Sequence, residues 1–304
     1  MNATPPHAFD LASDRFDLLV ASAFASGKTS RHVRDDLIAQ VDSGRLDRLL
    51  PRARCGVATL PDAVNRKAAL NIIDFAFEPL VLQSMSTDQA AGYLSAIEDT
   101  LHIREARGVD GFGPLWVDTV HHVCVFSVLF KLAMFLGRNR GFGHVILLHQ
   151  GQRPEPRLRI VSNLLRQAHG IVLTLLPLQG PWFPRLARIA TPGTIIFYLT
   201  DMPPEAFPRT ARMRQIQSRL LLTYGMDGAI PAETVSGSQS FARRLGATRV
   251  VLDYPSTDSV SIRPPNADEA TTSYCPLEDW VFWPLLGSPV GLRTSRAVEG
   301  LARG

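Results

Sequence analysis

A chain of 304 residues with 45% hydrophobic and 20% charged residues has an ordinary globular composition, which excludes intrinsic disorder and a polytopic membrane protein. The formal charge of +4 comes almost entirely from arginine, and so modest an excess does not by itself indicate nucleic-acid binding. The cysteines Cys55, Cys124 and Cys275 form no Cys-x-x-Cys pair, so we expect a reducing compartment and no metal site.

The first part of the chain predicts helices. Its opening residues, MNATPPHAFDLASDR, lack the basic and apolar regions of a signal peptide, so we expect a cytoplasmic protein. Apolar residues recur at separations of three and four between residues 10 and 50, and residues 68–77 and 87–104 show helical patterns as well. The sequence Ser86-Thr87-Asp88 is typical of the N-cap of the last of these helices.

An apolar helix follows the glycine-rich break at residues 108–114, and we expect it to begin near Trp116. Its most apolar run, residues 123–137, contains Lys131 and is too short to span a bilayer. The run therefore predicts a buried core helix, with an interfacial helix as the alternative.

From His144 onward, short apolar runs alternate with amphipathic segments. We predict strands at residues 144–148, 171–176 and 194–199, and helices at residues 156–169 and 182–190. A strand–helix–strand alternation with runs this short indicates a buried, mostly parallel sheet. The predicted fold class is therefore α/β, with a mostly parallel mixed sheet flanked by helices and a helical N-terminal region.

Further elements complete a single predicted domain over residues 1–304. We predict helices at residues 208–222 and 236–245, and a strand at 249–254 that pairs with 260–263. In this division residues 1–140 are largely helical, and residues 141–290 carry the sheet and the functional site.

His149 and Glu155 form the first candidate site, in a loop that leaves a predicted strand. Ligands of parallel sheets bind at the carboxyl ends of strands, and a histidine oriented by a carboxylate can act as a general base. The alternative is a loop histidine beside a solvated glutamate.

A second candidate is the segment FASGKTS at residues 24–30, which is similar to a phosphate-binding loop. The full pattern requires a glycine where this chain has Ser22, so the segment departs from a nucleotide site. Asp201, which follows a predicted strand, would be the metal-binding acid of such a site or a turn residue.

His121 and His122 are a third candidate, with Asp118 one turn earlier on the predicted helix. Adjacent histidines point in different directions on a helix and cannot both bind one metal ion. We therefore expect a capping or core role and assign no metal.

Arginines on the predicted helix 208–222 form a fourth candidate, together with Arg157, Arg159 and Arg166. The arginines on that helix are Arg209, Arg212, Arg214 and Arg219. They form either a solvated face or a binding surface for a phospholipid head group, a coenzyme A phosphate or an acidic acyl carrier protein.

Residues 224–265, with their helix SFARRLGA, resemble the late lipid A acyltransferases and the related lysophospholipid acyltransferases. Residues 66–78 and 193–201 are similar to further segments of that family. The family has a histidine followed five positions later by an acid, whereas position 154 is Pro154 and Glu155 comes one residue later. No histidine of this chain has an acid at that offset.

The resemblance implies transfer of an acyl group from a thioester, on an acyl carrier protein or coenzyme A, to a hydroxyl or amine acceptor. His149 would be the general base and Glu155 its orienting acid, with backbone amides near Gly151 or Gly237 stabilising the oxyanion. The predicted substrate-binding residues are Gly151, Arg153, Asp201, Arg212, Arg219, Ser236 and Gly237.

Two alternatives remain open at this point. One is a catalytically inactive relative that binds an acylated carrier or a partner protein. The other is a nucleotide-dependent enzyme that uses Lys28 and Asp201. For the acyltransferase we expect no cofactor, no metal and no nucleic acid, and a cytoplasmic location with peripheral contact at the inner membrane as a variant.

Overall fold

The computed structural model of the protein describes residues 16, 19–20, 30–96, 113–149, 156–201, 217–226, 228–235, 237–256, 259–265 and 272–285. Eight helices lie within these residues: α1 Ser30–Asp42, α2 Pro51–Cys55, α3 Asp62–Ser84, α4 Thr87–Ser95, α5 Val125–Arg140, α6 Pro156–His169, α7 Trp182–Ile189 and α8 Ser238–Leu245. The strands are β1 Leu115–Thr119, β2 His144–His149, β3 Val172–Pro177, β4 Thr194–Leu199, β5 Gln217–Tyr224, β6 Gly228–Val235, β7 Thr248–Ser256, β8 Ser259–Arg263 and β9 Thr272–Pro276.

The chain divides into two compact units. The first unit comprises residues 1–77, 201–236 and 274–304, and the second comprises residues 78–200 and 237–273. Among the described residues, no helix is long and apolar enough to cross a membrane.

The second unit contains a six-stranded sheet in the order β3-β2-β4-β1-β7-β8. The first five strands in this order run parallel to one another, and β8 is antiparallel to β7. This arrangement confirms the predicted α/β class, the three predicted strands from residue 144 onward, and the pairing of the segments near residues 249 and 260.

Both faces of this sheet are buried. On one face, Trp116, Ile146 and Ile196 pack with Leu186 of α7 and Ala242 of α8. Their neighbours Val117 and Val145 point to the opposite face and are fully buried too. On that face α6 lies against β3, and α5 packs against α6.

Local sequence signals explain the ends of several helices in the second unit. Ser86 caps α4 as predicted, because its Oγ accepts a hydrogen bond from the Gln89 amide while the Gln89 side chain accepts one from the Ser86 amide. Gly246 ends α8 in the left-handed conformation, with φ of 63°. Helix α5 is buried along most of its length, as its apolar sequence predicts.

The first unit contains α1, α2 and most of α3, together with β5, β6 and most of β9, and these strands form a sheet in the order β6-β5-β9. Its core includes two tryptophans of the aromatic C-terminal segment. The indole of Trp283 donates to the Ala68 carbonyl at 3.1 Å, and that of Trp280 donates to Asp201 Oδ2 at 2.7 Å. Asn71 Nδ2 donates to Asp279 Oδ1 at 2.8 Å, so α3 is joined to the same segment by polar contacts.

Two sequence predictions are wrong. Residues near Trp116 form the central strand β1, not the start of a helix, and α5 begins only at Val125. A buried central strand has no polar alternation, so the run LWVDT gave no period-two signal to distinguish it from the apolar helix that follows.

The second wrong prediction is the helix over residues 208–222. Residues 217–222 belong to β5, which pairs with β6 through a turn at Gly225 and Met226. Leu220 and Leu222 are buried while Leu221 is half-buried, which is the period-two alternation of a strand. The rest of that predicted helix, with Arg209, Arg212 and Arg214, lies outside the described residues.

Candidate active site

Parallel pairing brings several strand ends of the second unit to one edge of the sheet. Val117 of β1 and Leu147 of β2 both pair with Phe197 of β4. Thr119 and His149 each lie two residues further along their strands, so they are at the same height along the strand direction. Two inter-strand spacings lie between them, a distance of about 10 Å. This carboxyl edge is where ligands of parallel sheets bind.

His149 and Thr119 also point to the same face of the sheet. Because side chains alternate along a strand, His149 lies opposite to Leu148, which packs with α7 and α8. By the same alternation, Thr119 lies opposite to Asp118 and Trp116. Both side chains thus face the side of the sheet that α5 and α6 cover, and His149 is partly exposed there.

Thr119, Tyr254, His122 and Cys124 form what we call the edge cluster. The hydroxyl groups of Thr119 and Tyr254 share a hydrogen bond of 2.6 Å. The ring of His122 stacks on that of Tyr254, with centroids 4.2 Å apart and planes 10° from parallel. Thr200, which follows β4, donates to the Thr119 carbonyl from its amide at 2.8 Å and from its hydroxyl at 3.1 Å.

The Cys124 amide donates a hydrogen bond of 3.1 Å to His122 Nδ1, and this bond indicates the tautomer of the imidazole. A ring nitrogen that accepts a hydrogen bond carries no proton, so neutral His122 is protonated at Nε2. His122 is fully buried, and Cys124 is the N-cap of α5. His122 is therefore placed to hold Tyr254 and the start of α5 in position.

A buried ion pair lies on this side of the sheet at the start of α6. Arg157 Nη1 is 2.8 Å from Glu78 Oε2, and both side chains are at least nine-tenths buried. The guanidinium lies over the ring of Phe126, 4.5 Å from its centroid, and Tyr93 donates to Glu78 Oε1 at 3.0 Å. Glu78 thus has a separate partner for each of its carboxylate oxygens.

Burial raises the pKa of the Tyr93 phenol, and the negative charge of Glu78 raises it further. The charge of a Cys124 thiolate acts in the same direction, whereas Arg157 opposes it. Tyr93 therefore remains a protonated hydrogen-bond donor at neutral pH.

A second ion pair lies on the opposite face of the sheet. Asp118 Oδ2 is 2.6 Å from Arg249 Nη2, and its Oδ1 accepts a hydrogen bond from the Trp116 indole at 2.9 Å. Burial raises the pKa of Asp118, although Arg249 and the Ser238 side chain favour its charged form. The Asp118 carboxylate is fully buried. Its contacts with Arg249 of β7 and Ser238 of α8 therefore link β1 to both elements.

Gly237 and His149, to which the sequence assigned one reaction, belong to elements on different faces of the six-stranded sheet. Gly237 precedes α8 next to Ser238, which bonds to Asp118, so it belongs to the α7–α8 face. His149 points to the other face. Of the two oxyanion donors considered, Gly151 follows His149 by two residues in the chain, whereas Gly237 precedes α8 on the opposite face.

The other predicted site residues fall in three places. Asp201 belongs to the first unit and is fully buried, with Trp280 as a hydrogen-bond donor. Arg219 also belongs to the first unit and is exposed on β5, not on a helix. The remaining predicted residues, Gly151, Arg153, Glu155, Arg212 and Ser236, lie outside the described residues, as do Lys28 and the segment at residues 24–30.

Sequence reasoning missed the edge cluster because it placed His122 on a helix. The predicted core role for His122 agrees with its complete burial, but Tyr254 and Thr119 were not singled out. Had residues 115–119 been recognised as a strand, His121 and His122 would have been the first histidines after a parallel strand. That position is a stronger signal than the spacing of the two adjacent histidines.

Within the described ranges, no three side chains of histidine, cysteine, aspartate or glutamate gather so that they could hold a metal ion. Comparison with known proteins found no matching family model and no significant match among curated proteins. The contacts and placement of these side chains are therefore the basis for a functional proposal.

Proposed function

We propose that this protein transfers an acyl group from a thioester donor to a hydroxyl or amine acceptor at the carboxyl edge of its six-stranded sheet. The observation that carries the proposal is the position of His149. It ends a parallel strand, is partly exposed, and faces the same side of the sheet as the edge cluster. A general base must be accessible to a substrate that arrives from solvent, and its position must be fixed by the fold. The partly exposed end of a buried strand satisfies both requirements.

In this reaction His149 accepts the proton of the acceptor hydroxyl or amine as the acceptor atom attacks the thioester carbonyl. The resulting tetrahedral oxyanion collapses, the acyl–sulfur bond breaks, and the thiolate leaves with the proton that His149 returns. Backbone amides near Gly151 would stabilise the oxyanion. Glu155 would orient the imidazole of His149.

The edge cluster supports this role without touching the substrate. Thr119, Tyr254 and His122 hold the end of β1 to the end of β7 through one hydrogen bond and one ring stack. Thr200 holds the end of β4 to β1. A rigid edge fixes the direction in which the β2 end presents His149, and general-base catalysis depends on such positioning.

A second candidate function is a catalytically inactive relative that binds an acylated carrier or partner protein. His122 follows the central strand β1, and position 127, where the resembled family would have its acid, is Ser127. His122 is also fully buried, so its ring is closed to a substrate. A protein that had lost the acid partner would retain the fold and its binding surfaces.

The two functions differ in thiol release. The full chain is mixed with an acyl-loaded carrier protein or acyl-coenzyme A and a panel of amine and hydroxyl acceptors, and free thiol is measured with a chromogenic disulfide. Acyl transfer predicts thiol release that depends on the acceptor, and a product with the mass of the acylated acceptor. Carrier binding without thiol release from any donor would contradict transfer and favour the inactive relative.

A further inference from the structure

Strand β3 forms one edge of the six-stranded sheet, and its outer side has no strand partner among the described residues. Every residue of the central strand β1 is buried, whereas Leu176 is the one fully covered residue of β3. Val172, at the start of β3, has 52% of its surface exposed. The side chains of β3 are thus much less covered than those of the inner strands.

The hydrogen bonds of β3 show which of its backbone groups point outward. The Val172 amide donates to the Gly143 carbonyl at 3.0 Å, toward β2. In a parallel ladder alternate residues bond to the same neighbouring strand, so Thr174 also faces β2. The amide and carbonyl groups of Leu173 and Leu175 consequently point away from the sheet.

The segment around β3 lacks the features that protect edge strands from pairing with another chain. Residues 170–181 contain no charged side chain, and β3 pairs with β2 continuously, without a bulge. Pro177 lacks an amide but lies at the end of the strand, where its carbonyl accepts a hydrogen bond from Arg185 Nη2 at 3.4 Å. The other edge strand, β8, contains Arg263 and is followed by two prolines. Of the two edges, β3 is therefore the unprotected one.

We infer that two copies of this chain associate by antiparallel pairing of their β3 strands, about a two-fold axis at Thr174. In this register Leu173 of one copy lies opposite Leu175 of the other, and such a pair exchanges two hydrogen bonds. The symmetry repeats the pair, so all the outward amide and carbonyl groups of both residues obtain partners. The two six-stranded sheets join into one continuous sheet. This inference is independent of the proposed function.

The composition of β3 favours a second copy of the chain as its partner. Because residues 170–181 are uncharged, self-pairing places no like charges opposite one another. The register also places the exposed Val172 of one copy beside Leu176 of the other, on the same face of the joined sheet. A two-fold contact covers the unprotected edges of both copies at once, so no β3 edge is left for further association.

The pairing keeps the two candidate active sites apart. His149 lies level with Pro177, because β2 and β3 run parallel. The strands of the second copy run in the opposite direction, so the carboxyl edges of the two sheets point to opposite ends of the dimer. Association and acyl transfer are therefore separate properties, and each can be tested without the other.

Light scattering coupled to size-exclusion chromatography measures the association of the full-length chain. For the wild type at micromolar concentrations we expect twice the chain mass of 33.4 kDa, and for Leu175→Pro the mass of one chain. Proline at this outward position removes an amide that only the second copy uses, and it spares the ladder with β2. Circular dichroism establishes that the variant is folded.

Leu175→Ala is the matched control, because it shortens the same side chain and retains the amide. We expect it to remain a dimer. A monomeric wild type would overturn the inference, whatever else binds to β3. So would a folded Leu175→Pro variant that remains a dimer.

Thr174→Cys tests the register without disturbing the ladder. Residues that face each other across the axis in a non-hydrogen-bonded pair have Cα atoms about 4.5 Å apart, within the range of a disulfide. With oxidised glutathione we expect a covalent dimer, and mass spectrometry of its peptides distinguishes this disulfide from one at Cys124. Val172→Cys is the control, since its two copies would be about 13 Å apart along the strands. Equal cross-linking of both variants, or of Val172→Cys alone, would overturn the register.

Salt dependence separates edge pairing from association by charge. The helices that contact β3, α6 and α7, contain arginines and no acid, so they supply no charge attraction between identical copies. We expect the dimer fraction in high salt to equal or exceed that in low salt. A dimer that dissociates in high salt would contradict pairing through β3.

Discussion

Replacement of Arg249 by alanine should lower the free energy of unfolding by about 3–5 kcal/mol at pH 7, because it leaves a buried carboxylate without its counter-charge. Asp118 is fully buried, and Arg249 contributes two of its contacts, at 2.6 and 2.7 Å. The Trp116 indole and Ser238 remain as hydrogen-bond donors but carry no charge. Urea denaturation followed by far-ultraviolet circular dichroism measures the difference.

The loss should shrink as the pH falls. Burial already raises the pKa of Asp118, and removal of Arg249 raises it further, so the folded variant binds a proton at higher pH than the unfolded chain. Protonation removes the buried charge, and the penalty disappears as the pH approaches the ordinary aspartate value of 3.8. The gap between wild type and variant is therefore smaller at pH 5 than at pH 7.

Arg243→Ala is the matched control, since Arg243 is exposed on α8. We expect it to change the free energy of unfolding by no more than about 0.5 kcal/mol. If Arg249→Ala were as stable as this control, or if its deficit grew as the pH fell, the assigned role of the Asp118–Arg249 pair would be wrong.

His149→Ala should reduce acceptor-dependent thiol release by about 10²–10⁴-fold, the usual contribution of a positioned general base. The proton of the acceptor would then have no side chain to receive it during attack on the thioester. Binding of the thioester donor should be retained, because the substitution removes only the group that accepts the proton. Steady-state rates over a range of acceptor concentrations should show the loss in kcat and not in KM alone.

His144→Ala is the matched control for His149, because His144 begins the same strand at the other edge of the sheet. Its Nε2 shares a hydrogen bond of 2.8 Å with Thr174, so the substitution affects only the amino end of β2. We expect its rate to stay within about threefold of wild type. Full activity of His149→Ala would exclude His149 as the base.

The parallel core of the second unit was predictable because each of its later strands is a short apolar run bounded by turn residues. Residues 156–169 were assigned to a helix with the boundaries that α6 has. The central strand β1 was not predictable in this way, because LWVDT is buried at every position and lies next to an apolar helix. Strand β5 was hidden because Leu220 and Leu221 also fit a helical spacing with Met213 and Ile216.

The candidate site was predictable only in part. His149 could be found because it ends an apolar run, and the carboxyl end of such a run is a known ligand position. The contact between Thr119 and Tyr254 joins residues 135 positions apart, and no pattern within a single sequence reports such a pair. The ion pairs Arg157–Glu78 and Asp118–Arg249 also join residues that are distant in the chain. They could not be predicted for the same reason.

The central claim is that an acyl thioester binds at the carboxyl edge of the six-stranded sheet. Hydrogen–deuterium exchange of the full chain, with and without a non-hydrolysable thioether analogue of an acyl-loaded carrier, tests it most directly. The unacylated carrier serves as the control. We predict acyl-dependent protection of amides in residues 119–126, 145–149 and 156–160. Protection confined to the first unit, with binding demonstrated in the same samples, would contradict the claim.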